Sequence, residues 1–259
     1  MIKVLAERIR QGYRTMPYPR QEPSLPDRFR GRPAVDCSRC PQDCRACEEA
    51  CPTNAILAAG DAATPGAGRR LQVDMGRCLF CTDCAQACTH GSITHSVDYK
   101  LAARSRQDLI VGNREGTPMP ALDDRLRRLL GRSLKLRQVS AGGCNGCEAD
   151  LNVLNTVGFD LGRFGIQFVA SPRHADGLLV TGPVTKNMEL ALRKTYEAVP
   201  QPKIVIASGA CAISGGPYAG HPEVHNGVDG ILPVDLHIPG CPPHPMTVLD
   251  GLLRLLGRR

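Results

Sequence analysis

Thirteen cysteines in a chain of 259 residues are the groups best equipped for chemistry, and twelve of them fall into three spaced sets. The first is Cys40-x3-Cys44-x2-Cys47-x3-Cys51, followed by Pro52, and the second is Cys78-x2-Cys81-x2-Cys84-x3-Cys88. Three closely spaced thiolates can wrap three corners of an iron–sulfur cube while a fourth ligand arrives from further along the chain. In proteins that hold two such cubes the fourth ligand crosses to the other cluster. The spacing therefore predicts one [4Fe–4S] cluster on Cys40, Cys44, Cys47 and Cys88, and a second on Cys78, Cys81, Cys84 and Cys51. Pro52 suits a chain that must not continue as a helix after the crossover cysteine. The first spacing is x3 where x2 is usual, and Thr89 stands where a second proline is expected, but neither change removes a ligand. Paired Cys-x2-Cys knuckles also suit tetrahedral zinc, which normally takes two well-separated pairs rather than three packed ligands repeated twice. Cys37 is left over, either as a spare cysteine or as a replacement for Cys40.

The third set is scattered through SAGGCNGCEAD, ASGACAISGGP and IPGCPPHP. Together these supply four thiolates, Cys144, Cys147, Cys211 and Cys241, each flanked by glycine or proline. Glycine lets backbone approach a cluster and donate N–H groups to its sulfurs, which tunes its potential. Three [4Fe–4S] clusters are thus expected in all. His221, His225 and His244 lie near these loops, where a lone histidine more often faces solvent than binds metal.

The elements that must hold these loops can be read around them. Residues 1–33 are basic and proline-rich, with an amphipathic start in Ile2, Leu5 and Ile9. Residues 34–100 carry nine cysteines and an internal repeat, CRACEEACPTNAI against CTDCAQACTHGSI, split by the loop GDAATPGAGRR. Residues 101–135 form a connector in which TPMP breaks the chain and Leu122, Leu126, Leu129 and Leu130 take helical spacing before Gly131. Residues 136–259 alternate strand-like runs (LKLRQVS, IQFVA, GLLVT, KIVIA, VDLHI) with helical ones (EADLNVLNTV, NMELALRKTYEAV, MTVLDGLLRLLGRR). That alternation predicts an α/β unit with a mostly parallel sheet and ligand loops at the carboxyl ends of its strands, where the third set of cysteines falls. In the last helix Leu249, Leu252, Leu253 and Leu256 share a face, and Arg254, Arg258 and Arg259 favour the negative end of its dipole.

Composition narrows the class. Hydrophobic residues reach 42% but aromatics only 4%, with no tryptophan, as expected where inorganic cofactors fill part of the core. The opening MIKVLAERIR has no signal-peptide features, and no apolar run is long enough to span a bilayer, so a cytoplasmic location is expected. In a reducing compartment many cysteines argue for metal centres rather than disulfides. The formal charge of +7 ordinarily suggests nucleic acid. Three clusters at about −2 each would bring it to about +1, so no nucleic-acid partner is expected.

Gly-Cys-Asn-Gly-Cys-Glu, Gly-Ala-Cys-Ala-Ile-Ser-Gly-Gly and Gly-Cys-Pro-Pro together resemble the small subunit of [NiFe] hydrogenases, in the energy-converting, formate hydrogenlyase-like branch related to the 20 kDa subunit of complex I. The N-terminal half, with TMPYP, RFRGRP and both cysteine groups, is similar to the eight-iron ferredoxin-like subunit of the same complexes, so the chain looks like a fusion of two subunits. The resemblance implies a flavodoxin-like C-terminal domain behind an α+β two-cluster ferredoxin-like domain. It implies that the cluster on Cys144, Cys147, Cys211 and Cys241 faces a nickel–iron large subunit. Complex I relatives carry two adjacent cysteines in the first motif, whereas Asn145 and Gly146 separate them here, which points to the hydrogenase branch. Glu148 matches a glutamate near the partner's active site that passes protons, although a carboxylate at a helix N-terminus would also be favoured by the dipole alone. The implied partners are the large subunit, membrane-arm subunits and a low-potential donor such as formate dehydrogenase or ferredoxin; basic residues 1–33 either contact the membrane arm, as their likeness to the complex I subunit favours, or are simply solvated. The implied location is peripheral, on the inner face of the membrane. Competing readings are the same relay in a nickel-free or complex I-like quinone oxidoreductase, a stand-alone polyferredoxin-type carrier, and a structural zinc protein.

Overall fold

The computed structural model describes residues 2–41, 43–59, 70–112 and 119–259. The loop GDAATPGAGRR lies outside the described residues except for Arg70, as does TPMP except for Met119 and Pro120. Helix α1 (Ile2–Gln11) opens the chain and buries none of its residues.

The first cysteine-bearing unit is built from two similar halves. Strand β1 (Pro33–Val35) leads into the first cysteine loop, helix α2 (Ala46–Glu49) and strand β2 (Ile56–Ala59). Strand β3 (Arg70–Asp74) leads into the second loop, helix α3 (Asp83–Ala87) and strand β4 (Ile93–His95). β1 pairs antiparallel with β4, setting Val35 opposite Ile93, and β2 pairs antiparallel with β3, setting Ile56 opposite Val73. Each half therefore closes on the strand that opens the other. Strand β5 (Ile110–Val111) adds to the outer side of β3.

Helix α4 (Asp124–Leu130) starts where the Asp123 carboxylate accepts the Leu126 amide at 3.0 Å, an N-cap that satisfies one of the orphan donors of the first turn. The second unit follows as strand β6 (Leu134–Ser140), helix α5 (Gly146–Val153), strands β7 (Ile166–Phe168) and β8 (Gly177–Thr181), helix α6 (Lys186–Ala198), strand β9 (Ile204–Ser208), helix α7 (Ala210–Ser214), strand β10 (Leu236–Ile238) and helix α8 (Pro245–Leu255). The five strands are all parallel, in the order β10-β9-β8-β6-β7. Counted from β6 this is the flavodoxin-like order 2-1-3-4-5, whose ligands sit outside the carboxyl ends of the strands. β8 and β9 are buried at every position, as strands covered on both faces must be.

The two faces of the sheet have separate cores. Leu179, Ile204 and Ile206 pack with residues of α5 and α8. Leu178, Val180, Val205 and Ala207 face α6 and α7, in one apolar core that continues through Ile213 into the ferredoxin-like unit. Helix α8 is not the one-faced helix its leucines suggest. Every residue from Pro245 to Leu253 is buried, Asp250 included, because it fills the space between the sheet and the segments around it. Its arginines are also engaged away from its own last carbonyls. Arg254 pairs with Asp250 at 2.7 Å, Arg258 donates to the carbonyls of Phe164 and Gly131, and Arg259 pairs with Glu22.

Residues 13–32 form a strap across both units. The Met16 amide donates to the Gly158 carbonyl at 2.9 Å, the Tyr18 hydroxyl to Asp250 at 2.9 Å, and Arg32 to Asp98 at 2.8 Å. No helix among the described residues is long and apolar enough to cross a membrane.

Candidate metal centres

The strand pairing explains which cysteines meet. Cys51 precedes β2, β2 lies on β3, and β3 runs into the loop of Cys78, Cys81 and Cys84. The thiols of Cys78 and Cys84 accordingly interact with those of Cys51 and Cys81. All four border an apolar pocket walled by Pro33, Ile56, Val73 and Ile93. Burial above all, then the neighbouring sulfurs, push Cys78 up to about 12 and Cys84 to about 11. Bare thiolates are unfavourable in such a site, and metal binding supplies the compensating positive charge. Among the described residues no three Cys, His, Asp or Glu side chains converge as a single ion requires. A ring of four thiols around a wider apolar pocket fits a cube with one ligand per corner.

By the same logic Cys88, which precedes β4 on β1, is carried to the side of the Cys40 loop, and α2 packs against α3. The symmetry is detailed. The Asp74 amide donates to the Ala55 carbonyl at 2.8 Å, and the Asp36 amide donates to the Ser92 carbonyl at 2.8 Å. Asp74 accepts the Gly76 amide at 2.9 Å and lies 3.6 Å from Arg77; Asp36 accepts the Ser38 amide at 3.1 Å and lies 3.3 Å from Arg39. The internal repeat thus begins earlier than its cysteines, as Val-Asp-x-x-Arg-Cys at residues 35–40 and 73–78. In that register Cys40 matches Cys78 and Cys37 matches Met75, a core residue with 1% exposure. Aligning VDCSRC with VDMGRC is the signal in the sequence that would have found this. Cys37 is itself half-buried against the core, its sulfur accepting the Leu71 amide at 3.1 Å.

Backbone donors converge on the sulfurs. The Ala55 amide donates to Cys51 at 3.2 Å, the Phe80 amide to Cys78 at 3.3 Å and the Ser92 amide to Cys88 at 3.3 Å. Burial tends to raise Cys88, but the amides of Ser92 and His90 with the Ser92 hydroxyl outweigh it and hold the thiol below its ordinary range.

The third set lies at the carboxyl ends of β6, β9 and β10. Cys147 interacts with Cys211, Cys241 and Cys144, and burial raises it to about 12, with Cys211 raised to about 11. Cys144 and Cys241 are exposed, so the set opens on the surface of the protein. Gly209 permits the gathering, since with φ at +95° a Cβ there would lie 2.6 Å from the Cys147 sulfur. Glu148, next along α5, is 7% exposed and accepts the Thr181 hydroxyl at 2.5 Å. Burial tends to raise its carboxyl, but the Ser140 and Thr181 hydroxyls outweigh that and hold it below the usual carboxylate range. His244 caps α8 by accepting the Met246 amide at 3.1 Å, while His221 and His225 make polar contacts to Glu223 and Glu189.

The three sets follow one another through shared neighbours. Cys84 interacts with Cys47 on one side, and Cys81 interacts with Cys241 on the other, so the Cys51–Cys84 set stands in the middle. The cleft at the Cys81–Cys241 junction is lined by Phe29, Phe80, Pro242 and His244. Arg30 of the strap holds the near side of it, donating to the carbonyls of Phe80 and Cys81 at 3.0 Å each. The Ser214 hydroxyl donates to the Gly76 carbonyl at 2.9 Å and joins the same two units directly.

Comparison with known proteins agrees with this division. Residues 144–255 match the family described as NADH ubiquinone oxidoreductase, 20 Kd subunit, and residues 35–92 match the 4Fe-4S dicluster domain. The chain is similar to the probable membrane-bound hydrogenase subunit mbhJ of Pyrococcus furiosus, 44% identical over 131 residues that make up 51% of this chain and 78% of that protein. It is 43% identical to formate hydrogenlyase subunit 7 of Escherichia coli over 150 residues, 55% of this chain and 59% of that protein. Among solved structures, a chain of the membrane-bound sulfane sulfur reductase, an archaeal respiratory membrane complex, aligns over 52% of this chain and 75% of its own length, with 36% identity and a TM-score of 0.46.

Proposed function

The chain belongs to the family of the NADH ubiquinone oxidoreductase 20 kDa subunit and the hydrogenase subunits related to it, and on that premise we propose that it relays electrons through three [4Fe–4S] clusters to a nickel–iron centre on a partner's large subunit. It is an electron-transfer subunit of a hydrogenase-type oxidoreductase complex and an iron–sulfur protein. When bound, the clusters supply closely spaced one-electron acceptors and donors.

In this reading Cys40, Cys44, Cys47 and Cys88 hold the outer cluster, Cys51, Cys78, Cys81 and Cys84 the middle one, and Cys144, Cys147, Cys211 and Cys241 the one that faces the large subunit. The pairing of Cys37 with Met75 supports Cys40 as the ligand. The observation that carries the proposal is the order of the thiol sets, with Cys84 beside Cys47 and Cys81 beside Cys241. A low-potential donor, formate dehydrogenase or ferredoxin, would dock at the Cys40–Cys47 end. The large subunit would cover the exposed Cys144 and Cys241. Glu148 carries the proton-passing role in this scheme, as a buried carboxylate beside that face.

The docking role read for residues 1–33 narrows to α1. The strap is bound to its own chain, whereas α1 leaves Ile2, Val4, Leu5 and Ile9 exposed beside Lys3, Arg8 and Arg10. We assign α1 to the contact with membrane-arm subunits, which puts the protein on the inner face of the membrane without spanning it.

The test is metal analysis of the native complex, purified anaerobically through a tag on this chain. About twelve irons per chain with absorbance near 400 nm, stoichiometric nickel and hydrogen evolution from reduced dye are expected. Iron without nickel would leave an electron relay of different output, and zinc in place of iron would overturn the relay itself.

A further inference from the structure

We propose that Arg106 is a positioning residue of the relay: its grip on Asp74 holds the turn before Cys78 against α7 and so fixes the separation of the middle and third clusters. Asp74 is 5% exposed, and its carboxylate accepts both arms of the Arg106 guanidinium, Nη1 at 2.7 Å and Nη2 at 2.5 Å. Two charge-assisted bonds from a planar fork fix orientation as well as distance, which a point charge cannot do. The same carboxylate accepts the Gly76 amide at 2.9 Å, and the Asp74 carbonyl accepts the Cys78 amide at 3.0 Å. Arg106 thus holds the turn that delivers the first cysteine of the middle set.

The other side of that turn rests on the second unit. The Gly76 carbonyl accepts the Ser214 hydroxyl at 2.9 Å, and Ser214 ends α7, the helix that carries Cys211. A Cβ on Gly76 would lie 2.8 Å from Ile213 Cγ2 and 2.9 Å from Arg106 Cζ, so the turn is packed between the two. A short path therefore runs from Cys78 through Gly76 and Ser214 to Cys211, with Arg106 behind it. The first half of the repeat is built otherwise. There Asp36 is exposed and pairs at 3.3 Å with Arg39 of its own turn, and the residue matching Gly76 is the exposed Ser38. The buried fork and the glycine belong to the turn that meets another cysteine-bearing unit, which is where a spacer is needed.

The inference rests on the middle and third clusters proposed above. It is tested by EPR of the fully reduced complex, in which dipolar coupling between neighbouring reduced clusters falls steeply with their separation. Arg106→Gln, Arg106→Lys, which keeps the charge without the fork, and Ser214→Ala should each change that coupling. Each should also slow reduction of the third cluster several-fold, with iron content and the outer cluster's signal retained. Should Arg106→Gln lose iron, Ser214→Ala, which leaves the fork and every cysteine in place, decides. Unaltered coupling in Arg106→Lys would show that charge rather than the fork is at work. Unaltered coupling in Ser214→Ala with full iron would show that α7 does not hold the turn. Either result overturns the proposal. Absence of coupling in the unsubstituted complex, or full iron in Cys78→Ala, would instead overturn the premise, so the two failures are told apart.

Discussion

At the scale of single residues, Cys78, Cys84, Cys147 and Cys211 are buried where a bare thiolate is disfavoured. Cys78 and Cys147 are raised to about 12, and Cys84 and Cys211 to about 11, chiefly by burial. An apolar pocket that disfavours bare thiolates suits a metal that binds only the deprotonated form, because the gain on binding then falls to the metal–sulfur bonds. Cys37 and Cys40 give a direct check on which thiols these are. Cys37→Ala should keep full iron and cost about 1 kcal/mol through a small packing loss. Cys40→Ser should lose about four irons per chain, since its counterpart Cys78 lies in a complete ring of thiols. Iron analysis and thermal unfolding of the two variants decide it, and iron loss in Cys37→Ala would reverse the assignment.

At the scale of elements, two turns do the positioning. In the ferredoxin-like unit the repeated Val-Asp-x-x-Arg-Cys turn uses Asp36 and Asp74 to cap the loop that delivers the first cysteine of each set. In the second unit, Gly209 between β9 and α7 brings backbone against Cys147. Gly209→Ala would force a Cβ into the sulfur at a φ that side chains rarely adopt, a strain of about 1–3 kcal/mol. The expected outcome is loss of about four irons per chain, with those of the ferredoxin-like unit retained. Retention of all the iron would mean that the loop can shift without disturbing the site.

At the scale of the whole molecule, the relay depends on holding two units at a fixed separation, because the Cys81–Cys241 junction lies between them. The strap is one clamp, beside the shared apolar core and the Ser214–Gly76 hydrogen bond. Tyr18 reaches the fully buried Asp250, and Arg30 reaches the Cys81 loop, so one segment spans from α8 to the junction. Tyr18→Phe removes one hydrogen bond to a buried carboxylate that keeps Arg254, and should cost about 1–2 kcal/mol, or about 3–6 °C in melting temperature. Deleting residues 1–12 should leave the melting temperature unchanged, since α1 buries nothing, while releasing the complex from the membrane fraction. A fall in stability on that deletion, or none in Tyr18→Phe, would relocate the clamp.

The strand–helix alternation after residue 133 was legible because it depends on local pattern. Runs such as GLLVT and KIVIA are apolar on both faces, which only a doubly covered sheet satisfies. The thiol spacing was legible for the same local reason, since three corners of a cube must be wrapped by one short loop. The burial of helix α8 on all sides was not legible, because it comes from neighbours distant in the chain, such as Tyr18 on Asp250. The amino-acid sequence by itself determined that this is an iron–sulfur protein with a ferredoxin-like half and a parallel α/β half. Only the tertiary structure decided the order of the thiol sets and which backbone amides reach their sulfurs. Those depend on which strand lies beside which and on what each buried atom finds next to it, and neither is fixed by spacing along the chain.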